Sequence, residues 1–238
     1  MNKAILHKEV QDFINVNLRN DINSLLLKKS VFESVTNKEL VEQILAKRKA
    51  KDKLPTWFEA KNICFPSKIS VEQTSSEETA KYKSSLISGK NFIDLTGGFG
   101  VDDYYFSKKF KEIIHCELNE SLSNITAHNF EQLGIKNCQF YSGNGIEFIK
   151  KTDQYFDWIY LDPSRRNGAK GKVFLMEDCL PDVPNNLELL LSKSNTILMK
   201  TSPLIDISQG LTELDFVKEI HVVALKNEVK ELLWIIEK

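Results

Sequence analysis

Hydrophobic residues follow one spacing in the first part of this chain and another after residue 90. Before that point they recur at three- and four-residue intervals, as helices with one apolar face require. Ile5, Val10, Phe13, Ile14 and Leu18 form one such stripe, and Ile22, Leu25, Leu26 and Leu27 begin a second. Leu40, Val41, Ile44 and Leu45 form a third, for which Thr36 or Asn37 offers the N-cap. Ser75-Ser-Glu-Glu78 has capping-box spacing and predicts a fourth helix ending near Ile87. From residue 91 short apolar runs take over, most of them followed by a helical stretch. Strands are expected over 92–95, 112–117, 138–141, 156–162 and 196–201, with helices from Val101, over 119–133 with Gly134 as C-cap, and over 187–191. Pro203 and Asp206 mark a turn after the fifth strand. Two runs, 216–225 and 229–236, then flank Lys226-Asn-Glu as a closing hairpin. This alternation predicts an α/β protein whose parallel sheet carries an antiparallel edge.

The first strand carries the most specific chemistry. It reads Asn91-Phe-Ile-Asp-Leu-Thr-Gly-Gly-Phe-Gly-Val-Asp-Asp103, an apolar run that ends on an acid and opens into glycines. Gly97, Gly98 and Gly100 allow positive φ and close backbone approach, and a helix starting at Val101 would aim free backbone N–H groups at a ligand. The spacing is not the G-x-G-x-x-G of dinucleotide folds, and Asp94 stands where a pyrophosphate binder keeps an apolar residue. A carboxylate there repels phosphate and suits a cationic amino acid or sulfonium, so S-adenosylmethionine is the expected cofactor rather than NAD. An ordinary tight strand-to-helix turn is the competing reading. Glu117 closes the second strand 23 residues after Asp94, where doubly wound folds place a ribose-binding acid; a solvated glutamate opening a loop is the alternative. Asn144, in Ser142-Gly-Asn-Gly-Ile146, is either a partner for an adenine edge or a turn residue tolerant of left-handed backbone. The fourth strand delivers Asp162-Pro163 to the crevice where open α/β sheets bind ligands.

DLTGGFGVD, HCELN, SGNG and YLDPSRR, in that order, resemble motifs I to IV of class I S-adenosylmethionine-dependent methyltransferases. EQTSSEETAKYK, HNFEQLG, KTSPLIDIS and KNEVKELLW extend the likeness, over residues 55–238, to a bacterial group often joined to a C-terminal THUMP-like or ferredoxin-like module. EQTSSEETA and HNFEQLG are also similar, more distantly, to the trimethylguanosine-synthase group, which methylates guanine N2 in RNA. The resemblance implies a Rossmann-like seven-stranded methyltransferase sheet over 91–238 and methyl transfer to a base in structured RNA, tRNA or rRNA, while the helical spacing before it marks residues 1–90 as an N-terminal helical domain. It implies a cofactor site at Asp94, Thr96, Gly97, Gly98, Gly100, Asp102, Glu117, Leu118, Asn144, Gly145 and Asp162, lined also by Gln73, Thr74 and Ser75; helix capping explains Ser75 equally well. Members of that group carry a further module after the hairpin, so this chain is expected to be a short or trimmed member.

On the acceptor side, Asp162 would accept one amino proton and the Pro163 carbonyl another, turning the nitrogen lone pair towards the methyl group. Asp-Pro as a plain strand terminator is the alternative. Amino-directed members of the family read Asp/Asn-Pro-Pro-Tyr/Phe, whereas Ser164 and Arg165 follow Pro163 here, which weakens an assignment to guanine N2 or adenine N6. Arg165 and Arg166 are expected to stack on a base, hold a phosphate, or pair with core acids. Lys200 and Ser202 end the fifth strand on the same rim and are placed to touch the acceptor, unless Ser202 only starts the turn. His115, His128 and His221 are expected to be structural.

Charge adds a possible partner. Residues 1–90 carry 16 Lys and Arg against 11 Asp and Glu, and residues 91–238 carry 16 against 22, so the net charge of −1 conceals a basic part beside an acidic one. Lys47-Arg-Lys-Ala-Lys-Asp-Lys53 stands just before Trp57. Lys47, Arg48 and Lys49 would hold a phosphate backbone while Trp57 stacks a base, or else the cluster only complements a helix C-terminus. Apolar content of 42% over 238 residues suffices for one sizeable core and a small appendage. No apolar run reaches about 18 residues and Glu9 and Asp12 interrupt the N-terminus, so neither a membrane span nor a secretory leader is expected, and a cytoplasmic location is. Cys64, Cys116, Cys138 and Cys179 lie far apart without ligand-spaced histidines, so no metal is expected. Small-molecule or protein methyl transfer, and donor binding without catalysis, stand as alternatives to RNA.

Overall fold

The computed structural model describes residues 2–26, 29–165 and 175–238. Among the described residues, the α-helices before the sheet are α1 (Lys8–Val16), α2 (Asn23–Leu26), α3 (Asn37–Lys53), α4 (Pro55–Glu59), α5 (Lys68–Gln73) and α6 (Glu77–Leu86). The strands are β1 (Asn91–Asp94), β2 (Glu112–Glu117), β3 (Cys138–Ser142), β4 (Trp158–Leu161), β5 (Thr196–Thr201), β6 (Val217–Leu225) and β7 (Glu228–Glu237). Between them run α7 (Val101–Phe106), α8 (Glu120–Gln132), α9 (Gly145–Lys151), α10 (Val183–Leu191) and α11 (Ile207–Glu213). The seven strands form one sheet in the order β3-β2-β1-β4-β5-β7-β6, with β7 antiparallel to both of its neighbours and the other pairs parallel. The chain leaves β1 towards β2 and returns on its other side as β4, which opens a crevice between those strands at their carboxyl ends.

Local chemistry explains most boundaries. Thr36 caps α3 in a reciprocal box with Glu39. The β6–β7 turn is Lys226 and Asn227, at φ 53° and 63°, and Glu228 already pairs with Leu225, so the hairpin loop is one residue shorter than expected. Two left-handed residues match the twist of the flanking strands. The fourth helix starts one residue later than its capping box suggests: Ser76, not Ser75, accepts the Thr79 N–H. A short antiparallel ribbon, Ser164–Arg165 against Cys179–Leu180, and helices α4, α5 and α9 have no counterpart in the hydrophobic spacing.

Apolar packing does not divide at residue 90. One face of the sheet buries Ile93, Leu95, Ile159, Met199 and Trp234 with α9 and α10; the other buries Phe92, Phe106, Tyr160 and Leu198 with Ile87. A third cluster joins Ala46, Ala50, Leu54, Trp57 and Val71 to Phe99, Val101 and Tyr105 around the glycine-rich loop, and a fourth joins Ile5, Val10 and Ile14 to Leu40, Val41 and Ile44. The 17 residues of α3, about 25 Å long, therefore serve two cores, and their second half belongs with the sheet. Among the described residues no helix is long and apolar enough to cross a membrane, and no group of three or more His, Cys, Asp or Glu is arranged to hold a metal ion.

Candidate active site

A cavity of about 500 Å³ occupies the crevice. The loop after β1 forms its floor, Glu117 and Leu118 one side, residues 143–146 another, and Asp162 and Ser164 the far end. Ser70, Gln73, Thr74 and Ser75 close it from above the sheet. Of the expected cofactor residues only Gly100 lies behind the wall: at φ +73° it begins α7, and a Cβ there would sit 2.6 Å from Thr126 Cγ2. Gly97 is demanded by crowding, since a Cβ would lie 2.1 Å from Cε1 of the buried His115.

Four backbone N–H groups of the loop are already committed. Thr96 donates to Asp94 Oδ1 at 2.7 Å, Gly97 to the Cys116 carbonyl at 2.8 Å, Gly98 to Glu117 Oε2 at 3.0 Å and Gly100 to the Gly97 carbonyl at 2.9 Å. A pyrophosphate would need such donors, so their commitment argues against one, while the first N–H groups of α7 are not among them. What the loop presents instead is carboxylate. Asp94 is 2% exposed yet fronts the cavity, and nearby Asp103 lies 2.6 Å from His115 Nδ1 through its own carboxylate. Burial, and then the nearby Asp103, push the Asp94 carboxyl well above the usual range; burial keeps His115 low and therefore neutral. Glu117 is oriented by the Gly98 N–H on one oxygen and the Asn119 N–H, at 2.6 Å, on the other.

Asn144 is not left-handed, at φ −72°; its amide oxygen caps α9 by accepting from Ile146 and Glu147, leaving the amide NH₂ for a ligand. Asp102 differs from expectation too. Ser75 Oγ donates to it at 2.8 Å, Tyr160 Oη at 2.9 Å, and Lys83 Nζ lies 3.0 Å away, so its carboxylate braces the wall. Lys83 is 0% exposed and also donates to Ser75 Oγ and Glu231. Lys83 ends EQTSSEETAKYK and Glu231 lies in KNEVKELLW, but neither segment alone shows that the two side chains meet.

At the far end of the cavity Asp162 forms an ion pair with Lys200, whose side chain is 14% exposed. Burial lowers the Lys200 pKa, but Asp162 and then Asp102 more than offset that and hold the ammonium above its ordinary value. Asp162 fronts the cavity and Lys200 backs it, which revises the expectation that Lys200 touches the acceptor. The Asp162 N–H donates to Thr96 Oγ1 at 2.7 Å, and that hydroxyl donates to Asp94 at 3.1 Å, tying the two ends of the site together. Ser164 lines the cavity beside half-buried Pro163. Ser202 is exposed and accepts the Leu204 N–H, so it starts the turn. Arg165 contributes its backbone to the ribbon, and Arg166 lies outside the described residues.

The basic run does not form the expected patch. Trp57 is 0% exposed, packed against Phe99 and Tyr104, and no base can stack on it. Lys47 is buried with its ammonium 5.6 Å from the Phe58 ring centre, and burial lowers its pKa. Arg48 donates to the carbonyls of Asn17 and Asn20. The helical period turns these side chains inward or back onto the chain and leaves Lys49 outside.

No protein-family model matches the chain. Over nearly its whole length it is similar to a solved protein of Porphyromonas gingivalis W83, provisionally named a methyltransferase: 32% identity and a TM-score of 0.86, covering 99% of this chain and 58% of that one. A second solved protein, likewise provisionally named and in complex with S-adenosylhomocysteine, shares the fold at a TM-score of 0.53 and 14% identity over 68% of this chain and 49% of its own. An uncharacterized RNA methyltransferase of Mycoplasma mobile is 34% identical over 79 residues, 32% of this chain and 21% of that protein. The chain spans about a fifth of the length of the curated relatives it matches. Sheet order and these likenesses together establish a Rossmann-like methyltransferase fold.

Proposed function

We propose that this chain is an S-adenosylmethionine-dependent methyltransferase acting on a base in structured RNA, tRNA or rRNA. The observation that carries the reading is the pair of carboxylates, Asp94 and Glu117, around a glycine loop four of whose N–H groups are already used. Such a site attracts a cation and hydroxyl donors, and repels a phosphate. The cavity fits a nucleoside of this kind in other respects: Leu118, 74% exposed at the mouth, and Ile146 offer apolar faces for a purine, and the Asn144 NH₂ a donor for its edge. RNA as acceptor is supported by the name of the Mycoplasma mobile relative.

The donor supplies an electrophilic methyl group bonded to a sulfonium. The chain's own part is orientation, an effect of up to roughly 7–11 kcal/mol for well-placed reactants. Asp162, held by Lys200 and by the Thr96 hydroxyl, would accept an acceptor N–H and turn the nitrogen towards the donor. Gln73, Thr74 and Ser75 would exclude water from above.

The test is labelled S-adenosylmethionine with total RNA from a strain lacking the gene, followed by nucleoside mass spectrometry. Transfer to one nucleoside that is missing from that strain supports the reading, and transfer only to small molecules or protein overturns it. A second prediction concerns pH. Burial, and then the charge of nearby Asp103, favour the protonated form of Asp94 while the site is empty. A cationic ligand favours the ionised form of Asp94, so binding should release a proton and tighten as pH rises towards the elevated pKa of Asp94, above which the gain levels off. Calorimetry in two buffers of different ionisation enthalpy reads that proton; equal heats would rule it out. Asp94→Asn should lower affinity and flatten the pH dependence.

A further inference from the structure

Three lysines from two helices gather around Glu72 beside the cavity mouth, two at its carboxylate and one at its backbone carbonyl. Lys49 Nζ lies 3.3 Å from Glu72 Oε1 and Lys68 Nζ 3.7 Å from the same oxygen, while Lys53 Nζ donates to the Glu72 backbone carbonyl at 2.6 Å. One negative charge thus answers three positive ones. The Lys49 and Lys68 side chains are 47% and 50% exposed, and the Glu72 side chain 38%. Glu72 belongs to α5, the helix that presents Ser70 and Gln73 to the cavity. We infer that Lys49, Lys53 and Lys68 form a phosphate-binding lip that holds the backbone of the RNA next to the nucleotide entering the site. This rests on the RNA reading above, but not on Lys47 to Lys49 acting as one patch, since Lys47 and Arg48 are otherwise engaged.

Physical reasons favour an anion here. Exposed lysine–carboxylate pairs are worth roughly 0–1 kcal/mol, so Lys49 and Lys68 exchange Glu72 for a phosphate at little cost. Crowding of like charge is felt at Lys53, whose pKa is pushed down to about 8, first by burial and then by Lys49, Lys200 and Lys230. Lys230 and Lys200 sit on the neighbouring strands β7 and β5, where Glu228 and Asp162 pair with them, and their charge still reaches Lys53. A phosphodiester, bearing a charge wherever the chain runs and no need of base identity, matches a lip of flexible ammonium groups.

The test is filter binding of total RNA from a strain lacking the gene, across about 50–200 mM KCl, with S-adenosylhomocysteine binding measured in parallel by calorimetry. The double variant Lys49→Ala/Lys68→Ala should bind RNA more weakly. Its plot of log affinity against log salt should be shallower by about 1–2, at roughly 0.7–0.9 for each phosphate no longer neutralised, while cofactor binding is unchanged. Glu72→Gln should do the reverse and tighten RNA binding, a sign that a merely structural salt bridge does not produce. An unaltered slope in the double variant, or weaker binding by Glu72→Gln, overturns the lip and leaves the enzyme intact. Wild-type protein that neither binds nor methylates RNA overturns the RNA reading, and the lip with it.

Discussion

Asp162→Ala is expected to lower kcat for methyl transfer by about 10²–10⁴-fold, the range associated with losing one positioned proton acceptor, while S-adenosylhomocysteine binding is nearly unchanged. The separation follows from position. Asp162 fronts the far end of the cavity after β4, whereas Asp94 and Glu117 stand at the carboxyl ends of β1 and β2. Lys200→Met should lose much of the same activity, because it removes the cation that holds the carboxylate, and Lys200→Arg should recover part of it. A purely structural role for Lys200 would show as a lower melting temperature with kcat intact. Steady-state kinetics on the same RNA separates these cases. Comparable losses of cofactor affinity and of turnover in Asp162→Ala would mean that the two ends of the site are not divided in this way.

Lys83→Met is expected to destabilise the fold by about 3–5 kcal/mol, lowering the melting temperature by something on the order of 10 °C for a chain of this length. Lys83 lies wholly inside, between Asp102 and Glu231, and the substitution leaves two carboxylates in the interior without their cation. Burial already drives the Glu231 carboxyl above its usual range despite Lys83, which shows how costly its charge is there. Adding Glu231→Gln to Lys83→Met should return part of the stability. Denaturant unfolding measures both. A loss under about 1 kcal/mol for Lys83→Met would place the pair in solvent-screened surroundings and contradict the burial.

Some of the site could be read from residues alone, and the limits have a common origin. Asp94, the glycines and Glu117 were legible because the chemistry is carried within a few consecutive residues at a strand end, where local conformation and ligand contact coincide. Asn144 was half legible: its place after β3 followed from spacing, but its cap on α9 needed a helix that only seven residues build. Ser75 and Ser76 are adjacent and chemically alike. Only the neighbours decide that Ser76 caps α6 while Ser75 joins Asp102 and Lys83. Trp57 and the run from Lys47 misled because composition does not say which side of α3 and α4 faces the loop after β1.

The amino-acid order by itself determined the class of fold, the strands that bear the site and the sign of charge at its cofactor end, because these follow from periodicity and from residues adjacent in the chain. Tertiary structure alone decided which charges pair. Lys83 with Glu231 and Lys200 with Asp162 lie 148 and 38 residues apart. Their meeting depends on sheet order, and a buried charge takes its chemistry from the neighbours that replace water around it.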